Sequence, residues 1–197
     1  MAKRNHFFAM FSRMKYISRW ALMRNTHQEN ISEHSLEVAS IAHALALIHN
    51  KRFGGSVNAE RAAVLGVYHD TPEIITGDMP TPVKYYSRKT HDAYQEVEDN
   101  AGDVLLDMLP DDLKEEYAPF FKKAEEDREL WRFVKAADKI CALTKCIEES
   151  KAGNSEFDSA AKTIKVSLDE MNMPEADCFM EEFLESYGLT LDEMTAD

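Results

Sequence analysis

Apolar residues along this chain recur every three or four positions, and no run of strict apolar and polar alternation exceeds a few residues. That period puts one stripe of each segment against a core. It predicts helices at residues 6–18, 30–49, 58–69, 90–108, 127–151, 154–171 and 174–187, and an all-α fold. Asn30 or Ser32 can cap the second segment, with Glu33 three positions after Asn30, and Asn58 can cap the third. Pro72 ends or bends the chain just past His69-Asp70, so this dipeptide falls at a helix end. Gly54-Gly55 and the Pro80/Pro82 stretch punctuate the chain without the length of an interdomain linker, and there is no internal repeat or low-complexity tract. One helical bundle is expected over residues 1–190, followed by a solvated acidic tail at residues 191–197.

Composition narrows what such a bundle does. A chain of 197 residues can bury a core of its own, and one domain is the default at that length. Hydrophobic residues at 44% and charged residues at 30% suit a folded globular protein. No apolar run approaches the roughly 20 residues of a membrane-spanning helix; residues 38–48 come nearest and include Ser40 and His43. The basic amino terminus has no continuous apolar segment before Arg13 and Lys15, so a cytoplasmic location is expected. Cys141, Cys146 and Cys178 form no Cys-x-x-Cys pair and are odd in number, which points to reduced thiols. The net charge of −13 argues against broad binding to a nucleic-acid polymer or an anionic membrane, since both require a cationic face. A small phosphate ligand stays compatible if a cation and a few Arg or Lys side chains create a local positive site.

Four residues stand out against the apolar pattern. His34 heads a stripe with Val38, Ile41, Leu45 and Ile48 and so points inward. His69 follows Ala62, Leu65 and Gly66 on the same face of its own helix, while Asp70 shares the next arc with Ala63, Gly66 and Val67, where small side chains let another helix approach. Asp138 falls on the face of Trp131, Val134 and Cys141; a bare carboxylate there costs on the order of several kcal/mol unless it is paired or bound to a cation. Each has a plainer alternative. A single inward histidine is ordinarily a hydrogen-bonded core residue, and Asp70 before Thr71-Pro72 can cap the next turn. Asp138 can pair with Lys135 or Lys139, although the first is displaced around the helix and the second is its immediate neighbour. His6, His27, His43, His49 and His91 read as structural or surface residues.

Taken together, His34, the dipeptide His69-Asp70, and Asp138 within Val134-Lys135-Ala136-Ala137-Asp138-Lys139 resemble the H…HD…D signature of the HD-domain metal-dependent phosphohydrolases. The segment Tyr68-His69-Asp70-Thr71-Pro72-Glu73-Ile74-Ile75-Thr76-Gly77-Asp78-Met79-Pro80-Thr81-Pro82-Val83-Lys84 resembles the block typical of bacterial HD-domain 5′-deoxynucleotidases. Upstream, Ser18-Arg19-Trp20-Ala21-Leu22-Met23-Arg24-Asn25 and Glu29-Asn30-Ile31-Ser32-Glu33-His34-Ser35-Leu36 are similar to the same family. Thr71-Pro72 departs from the small, non-proline residues commoner there.

The resemblance implies an HD-domain bundle that hydrolyses deoxyribonucleoside 5′-monophosphates to the deoxyribonucleoside and phosphate, acting as a homodimer. Its divalent ion would be held by His34, His69, Asp70 and Asp138. Mixed imidazole and carboxylate donors suit a first-row divalent ion better than Ca or Mg without selecting one; the resemblance implies cobalt foremost in vitro, with Mn, Cu, Ni, Zn or Fe as alternatives. Such an ion lowers the pKa of its water from 15.7 to about 7 and holds a phosphate oxygen. His34, Asp70 and Asp138 would then face the substrate as well, with Asp70 among the catalytic groups. Arg19 would grip the phosphate with two guanidinium bonds, with Lys84 and Arg24 as weaker candidates. Glu73 would act as general acid or base, Asp78, Met79, Pro80 and Thr81 would edge the sugar and phosphate, and Trp20 would exclude a ribose 2′-hydroxyl by bulk.

Without the resemblance, Trp20 reads equally as core, Arg19 as a solvated charge, Glu73 as a surface residue and Asp78 as a turn cap. Two other functions share the pattern. An HD phosphohydrolase acting on cyclic nucleotides, triphosphates or alarmones would use the same metal ligands; the blocks at Arg19-Trp20 and Asp78 to Lys84 argue for the monophosphate. A non-catalytic helical binding module with a structural metal is the other, but structural sites are typically closed and thiol-rich, unlike this set.

Overall fold

The computed structural model describes residues 5–196, and the secondary structure there is helical throughout, apart from one isolated antiparallel bridge between Ser18 and Asn30. The elements are α1 (Phe7–Phe11), α2 (Ile31–Arg52), α3 (Ala59–Tyr68), α4 (Glu73–Thr76), α5 (Thr81–Lys84), α6 (Arg88–Leu106), α7 (Asp111–Lys122), α8 (Arg128–Lys151), α9 (Asp158–Asp169), α10 (Pro174–Phe183) and α11 (Leu191–Met194). The expected all-α fold is the one observed. Asn30 caps α2 in both directions: its Oδ1 accepts from the backbone N–H groups of Ser32 at 3.0 Å and Glu33 at 3.1 Å, and Glu33 Oε2 accepts from the Asn30 N–H at 3.2 Å. Asn58 caps α3 by accepting from Arg61 N at 2.8 Å.

Several bounds differ from those the periodicity predicts. The segment at 6–18 is a short α-helix that tightens into a 3₁₀ turn at Ser12–Tyr16; the 154–171 segment begins with a 3₁₀ turn at Ser155–Phe157, and α10 ends in one at Leu184–Gly188. Helix α7 has no counterpart among the predicted elements. Pro119 lies inside it, at a usual cost of about 3 kcal/mol, and its segment opens with acidic residues. Tyr117, Ala118 and Phe121 nevertheless pack against the buried cluster of Phe7, Leu105, Leu106 and Leu109, so tertiary contact overrides the local penalty. Beyond them, Leu191–Met194 forms one exposed helical turn closed by a Thr190–Glu193 capping box.

Two compact units emerge from the contacts. The first comprises residues up to Met23, Gln28–Leu36 and Val67–Glu129; the second comprises Arg24–His27, Glu37–Gly66 and residues from Leu130 onward. In the first, an aromatic cluster surrounds Tyr68, whose ring stacks on Phe120 at 5.0 Å and tilts against Phe11 at 5.3 Å. Met14, Ile31 and Ile74 form a second small core. These contacts anchor the end of α3 and the start of α4, the two stretches flanking His69-Asp70.

In the second unit, Val38, Ile41, Leu45 and Ile48 form the buried stripe of α2, and Gly66 lets α3 approach the α2 backbone: a Cβ there would lie 2.7 Å from Ala39 Cα. Glu149 on α8 is buried and accepts from Lys145 Nζ at 2.5 Å, Thr26 N at 2.9 Å, Thr26 Oγ1 at 2.7 Å and Asn154 Nδ2 at 2.7 Å. Burial opposes its charge, but these donors, Lys145 first, outweigh that and hold its carboxyl well below the usual range. The three cysteines are free thiols. No helix among the described residues is long and apolar enough to cross a membrane.

Candidate active site

The first turn of α2 and the end of α3 bring three donors together in the first unit. His34 is completely buried and His69 nearly so, and each imidazole faces Asp70. His69 Nε2 lies 3.1 Å from Asp70 Oδ2 and His34 Nε2 lies 3.5 Å from the same oxygen, with the ring centroids 5.3 Å apart. One ligand atom from each residue falls within 4.8 Å of the others, a spacing and donor set that fit a first-row divalent cation. Burial favours the neutral Asp70 acid, yet His69, then His34 and Arg19, outweigh it and hold the carboxyl well below its ordinary range. The group is thus ready as an anionic ligand. Asp138 stands half-buried on α8 in the second unit, between buried Ala137 and Ile140.

Glu73 opens α4, three residues after Asp70, and is buried, with its Oε2 lacking a hydrogen-bond partner. Burial first, then the negative charges of Asp70 and Asp78, push its carboxyl up to about 10 against the opposing pull of Arg19 and Lys84. The side chain is therefore a proton-bearing acid at neutral pH. The Asp78 carboxyl is also raised, chiefly by burial.

Arg19 and Trp20 reach the site through a backbone pairing. Arg19 N donates to the Glu29 carbonyl at 2.9 Å and Ile31 N to the Ile17 carbonyl at 3.0 Å, so residues 17–19 and 29–31 run alongside each other. The Arg19 guanidinium donates to Glu29 Oε1 at 3.1 Å and approaches His34 Nδ1 at 2.6 Å. Trp20 adopts a left-handed backbone, φ +58°, which costs a non-glycine residue about 1–2 kcal/mol. Its N–H donates to Asp78 Oδ2 at 3.2 Å and its indole Nε1–H to Glu29 Oε2 at 3.0 Å.

The remaining expected residues differ in burial and in partners. Met79 and Pro80 are half-buried and Thr81 is exposed at the start of α5. Lys84 donates to Glu98 at 2.9 Å and lies over the Tyr94 ring, while the Tyr94 hydroxyl donates to the Gly77 carbonyl at 3.1 Å. Arg24 pairs with Glu156 in the second unit. Glu29, Tyr94 and Glu98 have no role in the sequence reading. Glu29 precedes the α2 cap and lies on no periodic face, so its contacts leave no local signal.

Comparison with known proteins places this geometry in a lineage. The YfbR-like 5′-deoxynucleotidase family model matches residues 6–187. A 5′-deoxynucleotidase of Vibrio vulnificus is 51% identical over 191 residues, covering 97% of this chain and 98% of the relative. The 5′-deoxynucleotidase YfbR of Escherichia coli is 48% identical over 195 residues, covering 99% and 98%. Among solved structures, an HD-domain phosphohydrolase of Listeria innocua superposes with a TM-score of 0.81 at 22% identity, over 92% of this chain and 88% of that one. The HD phosphohydrolase of cyanophage S-2L, bound to dA and one catalytic Zn²⁺, gives a TM-score of 0.62 at 21% identity, over 90% and 96%. The two structural likenesses establish the HD-domain fold, and the family match together with the near half-identical, full-length relatives shows that this chain belongs to the YfbR-like 5′-deoxynucleotidases.

Proposed function

We propose that the protein hydrolyses deoxyribonucleoside 5′-monophosphates to deoxyribonucleoside and phosphate. The observation that carries this reading is the convergence of His34, His69 and Asp70 beside a buried, proton-bearing Glu73. Asp138 completes the ligand set in this reading, on the strength of the H…HD…D pattern. A divalent cation held there supplies Lewis-acid stabilisation of the phosphoryl oxygens and a water acidic enough to attack at neutral pH. Cobalt is our first choice in vitro, with Mn, Cu, Ni, Zn or Fe as alternatives.

The chain's own residues position the substrate and move the proton. Arg19, at the inner edge of the cluster, offers guanidinium donors to the phosphate, and Asp78, Met79, Pro80, Thr81 and Lys84 border the sugar and phosphate. As the water oxygen bonds to phosphorus and the P–O5′ bond breaks, Glu73 gives its proton to the leaving 5′ oxygen, and the proton shed by the water restores the Glu73 acid. The Trp20 ring walls off the 2′ position, so a ribose hydroxyl meets bulk where deoxyribose does not. We further propose a homodimer working in the cytoplasm, with no nucleic-acid polymer or membrane as partner.

The test is phosphate release by the purified, cobalt-loaded protein from a panel of deoxy- and ribonucleoside mono-, di- and triphosphates. Release from deoxyribonucleoside monophosphates above all others is expected. A preference for triphosphates would redirect the site to another nucleotide class, and release from none would leave a binding module.

A further inference from the structure

We propose that Glu29 is a positioning residue that sets deoxyribose discrimination and metal-ligand orientation together, holding the Trp20 indole with one carboxylate oxygen and facing the His34 imidazole with the other. The inference rests on Trp20 acting as the sugar wall and deepens that reading. Glu29 is only 9% exposed, and a carboxylate so buried persists only with close partners. Its partners divide cleanly between its oxygens. Oε2 accepts from Trp20 Nε1 at 3.0 Å, whereas Oε1 lies 3.1 Å from the Arg19 guanidinium and 3.5 Å from His34 Nδ1.

Each contact does a separate job. Trp20, in the left-handed region, has its backbone N–H bonded to Asp78 and its ring N–H to Glu29, so the residue is held at two points, one on the backbone and one on the ring. A steric wall discriminates a single hydroxyl only if it cannot swing aside, and the second point removes that freedom. At His34, a ring that offers Nε2 to a cation carries its proton on Nδ1 and needs an acceptor there. Arg19, a donor only, lies 2.6 Å from Nδ1 and suits the tautomer with that nitrogen bare; in the cation-bearing tautomer the Nδ1–H needs an acceptor, and Glu29 Oε1 is a carboxylate oxygen 3.5 Å away. The backbone pairing of residues 17–19 with 29–31 fixes where the carboxylate starts from.

Glu29→Ala and Glu29→Gln test this with two readouts that need no turnover. One is solvent exchange of the Trp20 indole N–H, followed by NMR and assigned with a Trp131→Phe variant, since the chain has two tryptophans. The other is Co²⁺ affinity by chelator competition. For the Ala variant we expect indole exchange to rise at least about tenfold and Co²⁺ affinity to fall about 10–100-fold, the usual effect of losing such a partner. The deoxy-to-ribonucleotide ratio of kcat/KM should fall alongside. A loss confined to one of the two readouts overturns the shared role. The Gln variant keeps the shape and guards against misfolding; its amide nitrogen cannot accept a proton, so at least one readout must fall, and retention of both within twofold overturns the proposal. If the wild-type protein releases no phosphate from any deoxyribonucleotide, the functional reading fails, while exchange and Co²⁺ affinity still decide whether Glu29 holds both partners.

Discussion

Glu73 shows how a residue's chemistry here is made by its neighbours. A glutamate in water is ionised at neutral pH, but burial and the charges of Asp70 and Asp78 keep this one protonated. The sign of the pH dependence follows: the acid form is present below its raised pKa, so turnover limited by proton donation declines as pH rises through that value. Glu73→Gln keeps the shape and cannot donate, so kcat is expected to fall about 10²–10⁴-fold. Cobalt content by elemental analysis should stay unchanged; an unchanged rate would remove Glu73 from the proton path. At Trp20 the expectation concerns selectivity. Trp20→Ala should raise activity on ribonucleoside monophosphates relative to the deoxy substrates, and an unaltered ratio in paired assays would refute the steric wall. Both positions stand out in the sequence only through family blocks, because neither the proton on Glu73 nor the twist at Trp20 leaves a periodic trace.

Elements in the second unit depend on two tight fits. Helix α3 comes close enough to α2 that a methyl group at Gly66 would collide with the Ala39 backbone, which cannot move aside as a flexible side chain would. Gly66→Ala is expected to cost about 1–3 kcal/mol, measurable as a lower melting temperature. Glu149 ties the 24–27 segment to α8. Because its folded pKa is depressed, its contribution is fully present above the ordinary glutamate value of about 4.3 and is lost as pH falls through the folded value. Glu149→Ala leaves Lys145 buried without its carboxylate, an expected loss of about 3–5 kcal/mol at pH 7. That difference should shrink in urea melts run at progressively lower pH. Capping residues at these elements were readable, since Asn30 and Asn58 act within three residues; α7 was not, because its stability comes from aromatic contacts with α6 and Phe7.

At the scale of the whole molecule, a cation that binds only the folded chain stabilises it by mass action. Cobalt at 100 times its Kd should add about 2.7 kcal/mol, a rise of roughly 5–10 °C in melting temperature for a chain this long. His69→Ala should abolish the shift while a chelator reverses it in the wild type; a shift that survives the substitution would place the cation elsewhere. The sequence by itself determined the helical class, the inward stripes under His34 and His69, and the charge of −13 that restricts any phosphate to a local positive site. Those properties follow from local periodicity and composition, which say which face of a segment is apolar. Only the tertiary structure decided that Asp78 would hold a backbone 58 residues away, that Glu29 would serve Trp20 and His34 at once, and that Glu73 would keep its proton. Hydrogen-bond partners and desolvation arise where distant segments meet, and no spacing along one helix records that meeting.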